Sequence, residues 1–562
     1  MSRPARRVRL GPREVVAERR ADGALVLRSP HPLGDYPRRM TDRVDHWAAR
    51  APDRVLFAQR SGAGWRTLTY AGAAQQGRRV AQALLDRALS AERPVALLSG
   101  NDIEHGLLHL GALYAGIPYA PVSPAYSLLS QDYARLRDVL ELLTPGLVCV
   151  FSRDPRFEKA VAAAVPRGVE VVHELPLAEP RDVEDAHARV GPDTIVKFLF
   201  TSGSTGTPKA VINTQRMWCA NQAMIAAMFE FFRDEPPVIL DWAPWHHTAA
   251  GNHNIGIALY SGGSIYIDEG KPLPGLIETT VANLREVAPN WYFNVPRGFE
   301  ALLPYLQADE ALRRNFFSRL KVLWFAGAAM PQHVFDAYKD LAYATCGETV
   351  PFLTGLGATE TSPYAMGRMW ETQDSTNMGL PPPGGEIKLV PFGDDKYEAR
   401  IKGAHVTPGY WRRPQLTAQA FDEEGWYRLG DLLSFDRVED GLLFRGRLTE
   451  DFKLATGTWV NVGPLRAKLV QHFAPMVRDV VIAGEGRDEI AALIFPAAEF
   501  SREQFEQKKA TLHGTGSSNR IARFLILEEP PSLDAGEMTD KGSINQKAVL
   551  KRRAHLVDEL YG

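Results

Sequence analysis

A loop crowded with glycines and hydroxyl groups, at residues 201–209, constrains the fold more than any other feature of the sequence. It reads TSGSTGTPK, and apolar residues run into it from Phe198 and away from it as far as Ile212. Glycines allow backbone N–H groups to converge on an anion, while Ser, Thr and Lys side chains add donors and positive charge. The pattern predicts a polyphosphate-binding loop between two strands.

The loop is not a Walker A motif. That motif needs Gly-Lys followed by Ser or Thr at the start of a helix, whereas here Pro208 precedes Lys209 and a strand-like run follows. A flexible Ser/Gly turn between two strands is the structural alternative. Such a turn does not require so many hydroxyls together with a lysine, so we favour the phosphate-binding interpretation.

Length and charge exclude several classes of protein. A chain of 562 residues is too long for one compact core, which predicts several domains. The net charge of -2 gives no field that would attract nucleic acid.

The cysteines and the N-terminus indicate the compartment. Cys149, Cys219 and Cys346 lack metal or redox spacing, and we expect them to be buried thiols in a reducing compartment. The Arg-rich N-terminus precedes no apolar run, so we expect no signal peptide, no membrane span and a cytoplasmic location.

Alternating helix and strand patterns predict an α/β fold. A helix is expected from Thr41, with Thr41 as its cap, and a strand over Val55–Ala58, and the alternation continues to Phe151. Such alternation favours parallel sheets covered by helices. From about Pro383, short alternating segments between turn signals predict a small antiparallel β-subdomain. Strands at 480–483 and 491–495, with helices around them, predict a separate small α+β domain.

These patterns divide the chain into three parts. Residues 1–40 are expected to form an N-terminal arm packed on the body, residues 41–446 a large domain that contains the loop, and residues 447–562 the small domain. Tandem repeats and low-complexity tracts are not evident in the sequence.

Further motifs follow the loop in a fixed order. They are PWHHTAAG at 244–251, WFAGAAMP at 324–331, TGLGATET at 354–361, GWYRLGD at 425–431 and FRGRLTEDFK at 444–453. Together with the loop, they resemble the signature motifs of the adenylate-forming superfamily, which includes acyl-CoA synthetases, aryl-CoA ligases, luciferases and peptide-synthetase adenylation domains. The resemblance implies an enzyme that activates a carboxylic acid as its acyl-adenylate and passes the acyl group to the thiol of coenzyme A.

The resemblance also assigns nucleotide-binding residues. The phosphates of ATP fall to Thr201, Ser202, Gly203, Ser204, Thr205, Gly206 and Lys209, with Thr359 as a further donor; the adenine side falls to Gly327, Ala328, Leu356 and Gly357, and the ribose to Asp431 and Arg447. Glu360 is implied as the Mg²⁺ ligand, and carboxylates suit that ion. Leu356 stands where many relatives have an aromatic residue over adenine, so adenine stacking here must be weaker or come from elsewhere.

The acyl group is expected beside His247. Trp245, Asn294 and Gly327 complete the predicted pocket, which would suit a planar ring with a polar substituent. A metal cluster of His246, His247 and His253 is the alternative, but Cys, Asp or Glu at ligand spacing is lacking nearby in the sequence.

The small domain carries the last implied roles. Thr449 and Glu450 fall where the family has its hinge, about which the small domain rotates after adenylation. Lys453 and Gly457 are assigned to cofactor binding, with Gly457 brought to the pantetheine tunnel. The family's Gly-Lys pair is altered near Gly542, so Lys541 is the predicted adenylation lysine and Lys547 the second choice.

Some segments look like bacterial feruloyl-CoA synthetases. They are SPHPLG at 29–34, GNHN at 251–254, NVPRGFE at 294–300 and DFKLATGTWV at 451–460. This implies a hydroxycinnamate substrate such as ferulate, with ATP, Mg²⁺ and coenzyme A as the other reactants. A fatty or benzoic acid, a carrier-protein thiol as acceptor and a catalytically silent nucleotide-binding module remain the alternatives. The sequence does not fix the oligomeric state, and a homodimer is among the states it allows.

Overall fold

The computed structural model describes residues 3–202, 208–393, 395–448, 450–498, 500–514, 516–539 and 542–562, with Ser202 described through its backbone only. Strands of the described chain are β1 (Val16–Arg19), β2 (Leu25–Arg28), β3 (Val55–Ser61), β4 (Gly64–Thr69), β5 (Val95–Leu97), β6 (Tyr119–Pro121), β7 (Leu147–Cys149), β8 (Glu170–Val172), β9 (Ile195–Ser202), β10 (Pro208–Thr214), β11 (Val238–Asp241), β12 (Ser264–Ile267), β13 (Trp291–Asn294), β14 (Val322–Phe325), β15 (Phe352–Gly357), β16 (Tyr364–Arg368), β17 (Asn377–Gly379), β18 (Gly385–Gly393), β19 (Lys396–Gly403), β20 (Tyr427–Ser434), β21 (Leu442–Arg447), β22 (Phe452–Lys453), β23 (Trp459–Val460), β24 (Val477–Ala483), β25 (Ile490–Pro496) and β26 (Ile521–Ile526).

Helices lie between these strands. They are α1 (Thr41–Arg50), α2 (Tyr70–Leu85), α3 (Ile103–Ala115), α4 (Ala125–Leu128), α5 (Ala134–Leu143), α6 (Pro155–Ala164), α7 (Val183–Arg189), α8 (Gln215–Met228), α9 (Ile255–Ser261), α10 (Ile277–Glu286), α11 (Pro296–Ala308), α12 (Glu310–Ser318), α13 (Gln332–Cys346), α14 (Pro414–Ala420), α15 (Val462–Phe473), α16 (Arg502–Ala510), α17 (Gln546–Arg552) and α18 (Ala554–Tyr561). Short 3₁₀ turns cover Glu230–Arg233, Thr359–Thr361 and Val438–Asp440, and a π-helix covers Ala249–Asn254.

Three sheets of the large domain are mainly parallel, as the helix and strand alternation predicts. Their strand orders are β10-β9-β6-β5-β7-β8, β11-β12-β3-β4 and β13-β14-β15-β16. In each of them the sheet ends on an antiparallel strand, since β10, β4 and β16 pair antiparallel with their neighbours. The carboxyl ends of parallel strands meet at one edge, where loops bind ligands in folds of this kind. The motif residues after β14 and β15 therefore lie at such an edge.

A seven-stranded antiparallel sheet follows, in the order β1-β2-β18-β19-β20-β21-β17. It contains the antiparallel unit predicted from Pro383 onward. The N-terminal arm supplies β1 and β2, and β2 pairs with β18 from Leu25 to Arg28. Leu25 and Leu27 are buried against Ile387 and Leu389, so an apolar alternation joins the arm to this sheet.

The C-terminal part has its own core around β24, β25 and β26. The sequence predicts β24 and β25 at their observed places, but not β26, which lies parallel to β25. Its residues are only partly buried, as in Phe524 and Ile526, so its hydrophobic signal is weak. The strand follows the mostly exposed helix α16. Its pairing with β25, and not a pattern in its own sequence, makes it a strand.

One predicted detail at the first helix is wrong. Thr41 is not the cap of α1 but its first helical residue, and Met40 precedes it. The buried Thr41 hydroxyl is hydrogen-bonded to Nε2 of His187 at 2.8 Å, so a tertiary partner takes the oxygen that a cap would use. Of the cysteines, Cys149 and Cys219 are buried, which raises the pKa of each thiol, and Cys346 is half-buried.

Candidate active site

Two paired strands flank the predicted phosphate loop in the chain. Strands β9 and β10 pair antiparallel, with Ser202 opposite Pro208 and Thr201 opposite Lys209. Gly203, Ser204, Thr205, Gly206 and the side chain of Ser202 fall outside the described residues. The register brings Thr201 and Lys209 together at the base of the loop, as the motif requires.

Tyr410 links these strands to Glu360. The Lys209 ammonium lies 4.9 Å from the centroid of the Tyr410 ring, within reach of a cation–π interaction. The Tyr410 hydroxyl donates to Oε1 of Glu360 at 2.8 Å. The backbone around Tyr410 pairs with β10, because Ile212 N–H donates to the Gly409 carbonyl. The aromatic residue thus connects the predicted phosphate-binding lysine with the predicted magnesium ligand.

Sequence reasoning missed Tyr410. The signal that could have found it is a Pro-Gly turn at 408–409 followed directly by two aromatic residues, after a strand of the small sheet. Nothing in that pattern indicates pairing with β10, some 200 residues earlier in the chain. The contact is therefore a product of tertiary structure.

Glu360 sits on the 3₁₀ turn that follows β15, next to Thr359. Glu360 is 7% exposed, and its backbone carbonyl accepts a hydrogen bond from the Thr407 N–H at 2.8 Å. Clusters of three or more His, Cys, Asp or Glu that could hold a metal do not occur among the described residues. Mg²⁺ usually keeps several waters and takes substrate phosphates as ligands, so one protein carboxylate is enough to bind it. A metal whose ligands all come from the protein would need more side chains than Glu360 alone.

The His247 motif leads into the π-helix over Ala249–Asn254. Gly251 is required there, because a Cβ at this position would lie 2.1 Å from the Trp245 carbonyl oxygen. The Gly251 carbonyl accepts from the ammonium of Lys197 at 2.8 Å. His247 is half-buried, with its ring centroid 4.1 Å from that of His246. Single-turn π-helices occur frequently at functional sites.

Lys197 is fully buried below this helix and was not singled out in the sequence. Its nitrogen lies 4.1 Å from the centroid of the Trp218 ring, and burial lowers the pKa of the amine well below its ordinary value. The side chain therefore acts as a hydrogen-bond donor to the π-helix from inside the core, rather than as a surface cation.

Two residues predicted for the acyl pocket lie in the interior with partners of their own. Trp245 is fully buried, and its ring centroid is 5.3 Å from that of Phe57 and 5.1 Å from that of His105. Asn294 is buried, and its amide donates to the Tyr292 hydroxyl at 3.1 Å. Both side chains are therefore buried against protein partners, and their role in the acyl pocket stays a prediction.

Gly327 and Ala328 are exposed just after β14. Gly327 has φ = +89°, the left-handed region that favours glycine, and a Cβ there would meet only Val295 Cγ1 at 3.7 Å. Its backbone is therefore open to an approaching ligand.

The other residues predicted at the adenine side follow β15. Leu356 is half-buried against the antiparallel sheet, while a Cβ on Gly357 would lie 1.6 Å from the Pro363 carbonyl oxygen.

Asp431 and Arg447 face each other across β20 and β21. Asp431 is 1% exposed, and its Oδ1 lies 3.3 Å from Arg447 Nε, whose side chain is 59% exposed. Burial raises the pKa of Asp431 to about 6, and the neighbouring Arg447 opposes that shift only in part. The pair is a buried acceptor beside an exposed cation, which suits the hydroxyls of a sugar.

The predicted hinge and coenzyme residues follow directly along the chain. Thr449 lies outside the described residues, and the Glu450 N–H donates to the Arg447 carbonyl at 3.0 Å. Lys453 is exposed, with its ammonium 5.0 Å from the centroid of the Trp459 ring. Gly457 has φ = +81° in an exposed turn with open space where a Cβ would be.

Lys541 lies outside the described residues, but its flanks form a hairpin. The Thr539 N–H donates to the Ser543 carbonyl at 2.8 Å. At the base of this hairpin Glu537 is fully buried and accepts from Arg553 Nε at 2.7 Å. Burial alone would raise the pKa of Glu537, but the hydrogen bonds from Arg553 hold it below its ordinary value. A charged pair thus anchors the segment that carries the predicted lysine.

A neighbouring segment contacts the large domain. Ser130 Oγ donates to Asp534 at 2.6 Å, and the Gln131 N–H donates to the other oxygen of the same carboxylate at 2.9 Å. Leu533 is buried among apolar residues of the six-stranded sheet region, and Arg135 Nε donates to its carbonyl at 3.3 Å. These contacts hold the C-terminal part against the helix α5 region.

Two parts of the chain match protein-family models. Residues 44–411 match the AMP-binding enzyme family, and residues 451–562 match the AMP-binding enzyme C-terminal domain. The chain belongs to the AMP-binding enzyme family. It is an adenylate-forming enzyme of the acid–CoA ligase type, and the predicted α/β fold with a large N-terminal and a smaller C-terminal domain is confirmed. Enzymes of this class use ATP, Mg²⁺ and coenzyme A.

Relatives that are named for different acids are about equally similar in sequence to this chain. The chain is 23% identical to a long-chain-fatty-acid–CoA ligase, ACSBG1, of Bos taurus, over 98% of this chain and 89% of the relative. It is 26% identical to the 3-hydroxybenzoate–CoA/4-hydroxybenzoate–CoA ligase of Thauera aromatica, over 62% of this chain and 66% of the relative. The solved structure of McyG A-PCP complexed with phenylalanyl-adenylate aligns with a TM-score of 0.75 at 18% identity, covering 94% of this chain and 98% of that one.

Membrane-spanning helices are not found in the part of the chain that the structure describes: each helix there is too short or too polar.

Proposed function

We propose that this enzyme converts a hydroxycinnamic acid, such as ferulic acid, into its coenzyme A thioester through an acyl-adenylate. The observation that carries the adenylation half is the chain of contacts from Lys209 through Tyr410 to Glu360. It aligns a cation and a carboxylate at the base of a hydroxyl-rich loop, which is the arrangement that a metal-bound polyphosphate needs.

The reaction joins two negatively charged reactants, so the residues act mainly by neutralising charge and aligning atoms. A carboxylate oxygen of the acid attacks the α-phosphorus of ATP, the acyl–oxygen–phosphorus linkage forms, and pyrophosphate leaves. Lys209 and the loop hydroxyls would hold the departing phosphates. Glu360 would hold Mg²⁺, which supplies charge neutralisation to those phosphates when bound. Lys541 would steady the carboxylate and the α-phosphate.

In the second half-reaction the thiol of coenzyme A attacks the acyl carbon, the thioester bond forms, and AMP leaves. We propose that residues 447–562 rotate about Thr449 and Glu450 between the two steps and bring Gly457 to the thiol channel. Residues 1–40 and 41–446 would stay together in this rotation, because β1 and β2 belong to the sheet of the large part.

Aromatic residues near the acyl motif support the choice of acid. Phe293 and Trp324 lie on neighbouring strands: β13 leads to the start of α11 at Pro296, and β14 leads to the exposed residues 327–329. Flat aromatic side chains next to the predicted acyl pocket favour a planar ring over a flexible alkyl chain. One relative is named as a ligase for hydroxybenzoates, which are ring acids.

The test is incubation with ATP, Mg²⁺, coenzyme A and one acid at a time, from a panel of ferulate, benzoate and a long-chain fatty acid. We expect AMP and a thioester with ferulate, at a kcat/KM at least tenfold above the other acids. A higher kcat/KM for benzoate or for the fatty acid would identify that acid as the better substrate and contradict the choice of ferulate. Acid-dependent ATP–pyrophosphate exchange without a coenzyme A thioester would favour a carrier-protein thiol as the acceptor. Absence of both exchange and thioester with every acid would overturn the proposal.

A further inference from the structure

Lys197 is a buried lysine that the proposed reaction does not use. It lies on β9 four residues before Thr201, and its side chain is fully buried against the Trp218 ring. Its ammonium nitrogen donates to the Gly251 carbonyl at 2.8 Å. An apolar side chain of similar length would fill the same space without the loss of hydration that an amine suffers on burial. The buried lysine therefore indicates a function beyond packing.

Asn213 contacts the next residue of the same π-helix. It lies opposite Lys197 in the antiparallel pairing of β9 and β10, and it is fully buried as well. Asn252 Nδ2 donates to Asn213 Oδ1 at 2.8 Å and to Thr248 Oγ1 at 3.2 Å. Directly opposite residues of an antiparallel pair share one face of the sheet. Each strand that flanks the predicted phosphate loop thus contributes one polar side chain to consecutive residues of the π-helix.

Gly251 connects the lysine with the predicted acyl motif. Its N–H donates to the His247 carbonyl at 2.7 Å, while its own carbonyl accepts from Lys197. The helix is packed closely on the motif, because a Cβ on Gly251 would lie 2.1 Å from the Trp245 carbonyl oxygen. Two hydrogen bonds therefore connect the Lys197 side chain with the backbone of His247.

Two side chains of α8 hold the π-helix from another side. Trp218 Nε1 donates to the Asn252 carbonyl at 2.8 Å, and Gln222 Nε2 donates to the same oxygen at 3.0 Å. Side chains that insert into the hydrogen-bond ladder of a helix shape an irregular turn. The contacts from α8 fix the helix in the core. The contacts from β9 and β10 relate it to the phosphate loop, because β9 continues through Thr201 into that loop.

We infer that Lys197, together with Asn213, is a positioning residue that fixes the His247 segment relative to the phosphate loop and so aligns the carboxylate of the acid with the α-phosphorus of ATP. This inference rests on the proposed function and on the predicted place of the acid beside His247. Adenylation needs both substrates in attack geometry, and a misplacement of about 1 Å can slow such a step about a hundredfold. Once the acyl–phosphate bond has formed, a covalent link keeps the two parts together, and this alignment is no longer required.

The test compares the two half-reactions in Lys197→Met, which keeps the length of the side chain and removes the donor. With the best acid of the panel, we expect kcat for ATP–pyrophosphate exchange to fall about tenfold to a hundredfold, with each KM changed less than about threefold. Thioester formation from supplied acyl-adenylate should also change less than about threefold. The midpoint of thermal unfolding should stay within a few degrees of the wild-type value, because the apolar chain avoids the desolvation of an amine.

Three further variants complete the experiment. Lys197→Gln, which keeps a donor on a shorter side chain, should retain part of the exchange activity. Asn213→Ala leaves the lysine in place and should slow exchange more than thioester formation, to a smaller degree than Lys197→Met. Lys159→Met, at an exposed position on α6, is the matched control and should alter neither half-reaction.

The outcomes separate the inference from the proposed function. Equal slowing of both half-reactions, or unchanged exchange, in Lys197→Met overturns the inference while the ligase assignment stands. A Lys197→Met protein that does not fold assigns the lysine to the fold and overturns the inference as well. If the wild type shows neither exchange nor thioester with any acid of the panel, the proposed function fails, and the inference fails with it.

Discussion

The Tyr410 hydroxyl donates a hydrogen bond of 2.8 Å to Oε1 of Glu360, across a sequence separation of 50 residues. The same ring lies under the Lys209 ammonium. One side chain therefore orients the predicted magnesium ligand and contacts the predicted phosphate cation. Burial raises the pKa of the Tyr410 phenol, so it remains a donor over the whole working pH range.

Tyr410→Phe should weaken the use of metal-bound ATP without removing either charged residue. A hydrogen bond to a charged group contributes about 1.5–3 kcal/mol, so we expect kcat/KM for ATP to fall about tenfold to a hundredfold. The Mg²⁺ concentration for half-maximal rate should rise. Steady-state kinetics at varied Mg²⁺ measures both effects. Tyr397→Phe, at a half-buried tyrosine stacked on Phe435, is the control, and equal behaviour of the two variants would contradict a role for Tyr410.

Asp431→Asn should stabilise the protein at neutral pH and impair its use of ATP. Burial raises the pKa of Asp431 from 3.8 to about 6, which at about 1.4 kcal/mol per unit corresponds to a destabilisation of about 3 kcal/mol when the group is charged. Below about pH 3, well under both pKa values, the carboxyl is neutral in the folded and the unfolded chain, so the penalty is absent. It grows as pH rises and is complete above pH 6.

Thermal unfolding of the wild type and Asp431→Asn at pH 5 and pH 8 measures this difference. The variant should have the higher midpoint, and its advantage should be larger at pH 8. Its KM for ATP should rise at least tenfold, because an amide offers one acceptor oxygen where the carboxylate offers two charged ones. An advantage that is equal at the two pH values would show that the carboxylate is not the cause.

Local patterns predicted much of the fold, and tertiary pairing accounts for what they missed. Strands β3, β24 and β25 follow from apolar runs in the local sequence, because local composition decides them. The cap of α1 and strand β26 depend instead on partners far away in the chain, such as His187 for Thr41. Single-sequence patterns carry no information about such pairings.

The candidate site shows the same division. Thr201, Lys209, Glu360 and Asp431 were predicted because their motifs are contiguous in sequence. Tyr410 and Lys197 were not, since each joins segments far apart in the chain by a side-chain contact. Trp245 and Asn294 were predicted as pocket residues from their neighbours in sequence, whereas their buried partners come from the packing.

Lys541→Ala should lower adenylation much more than thioester formation. Positioned cations at a strained phosphate contribute about 10²–10³ in rate, so acid-dependent ATP–pyrophosphate exchange should fall by that factor. Thioester formation from a supplied acyl-adenylate should change less than threefold, because the attack of the carboxylate on the α-phosphate, which Lys541 would assist, is already complete in that substrate. Lys551→Ala, at an exposed position on α17, is the control. A larger loss of exchange in Lys547→Ala would move the role to Lys547.

Asp534→Ala should affect the two half-reactions unequally. Its carboxylate accepts from Ser130 Oγ and from the Gln131 N–H, and it is the polar part of a contact that also includes the buried Leu533. Hydrogen bonds to a charged group contribute about 1.5–3 kcal/mol, so their loss should shift the equilibrium between domain orientations by about tenfold or more.

Because the observed contact holds the segment before Lys541 against the large domain, we expect Asp534→Ala to slow pyrophosphate exchange about tenfold. Thioester formation from supplied acyl-adenylate should be unchanged or faster, since the small domain is released for its second orientation. Asp558→Ala, which removes an exposed ion pair with Arg487 inside the C-terminal part, should alter neither rate. Equal slowing of both half-reactions by Asp534→Ala would mean that the contact stabilises the fold without biasing the domain orientation.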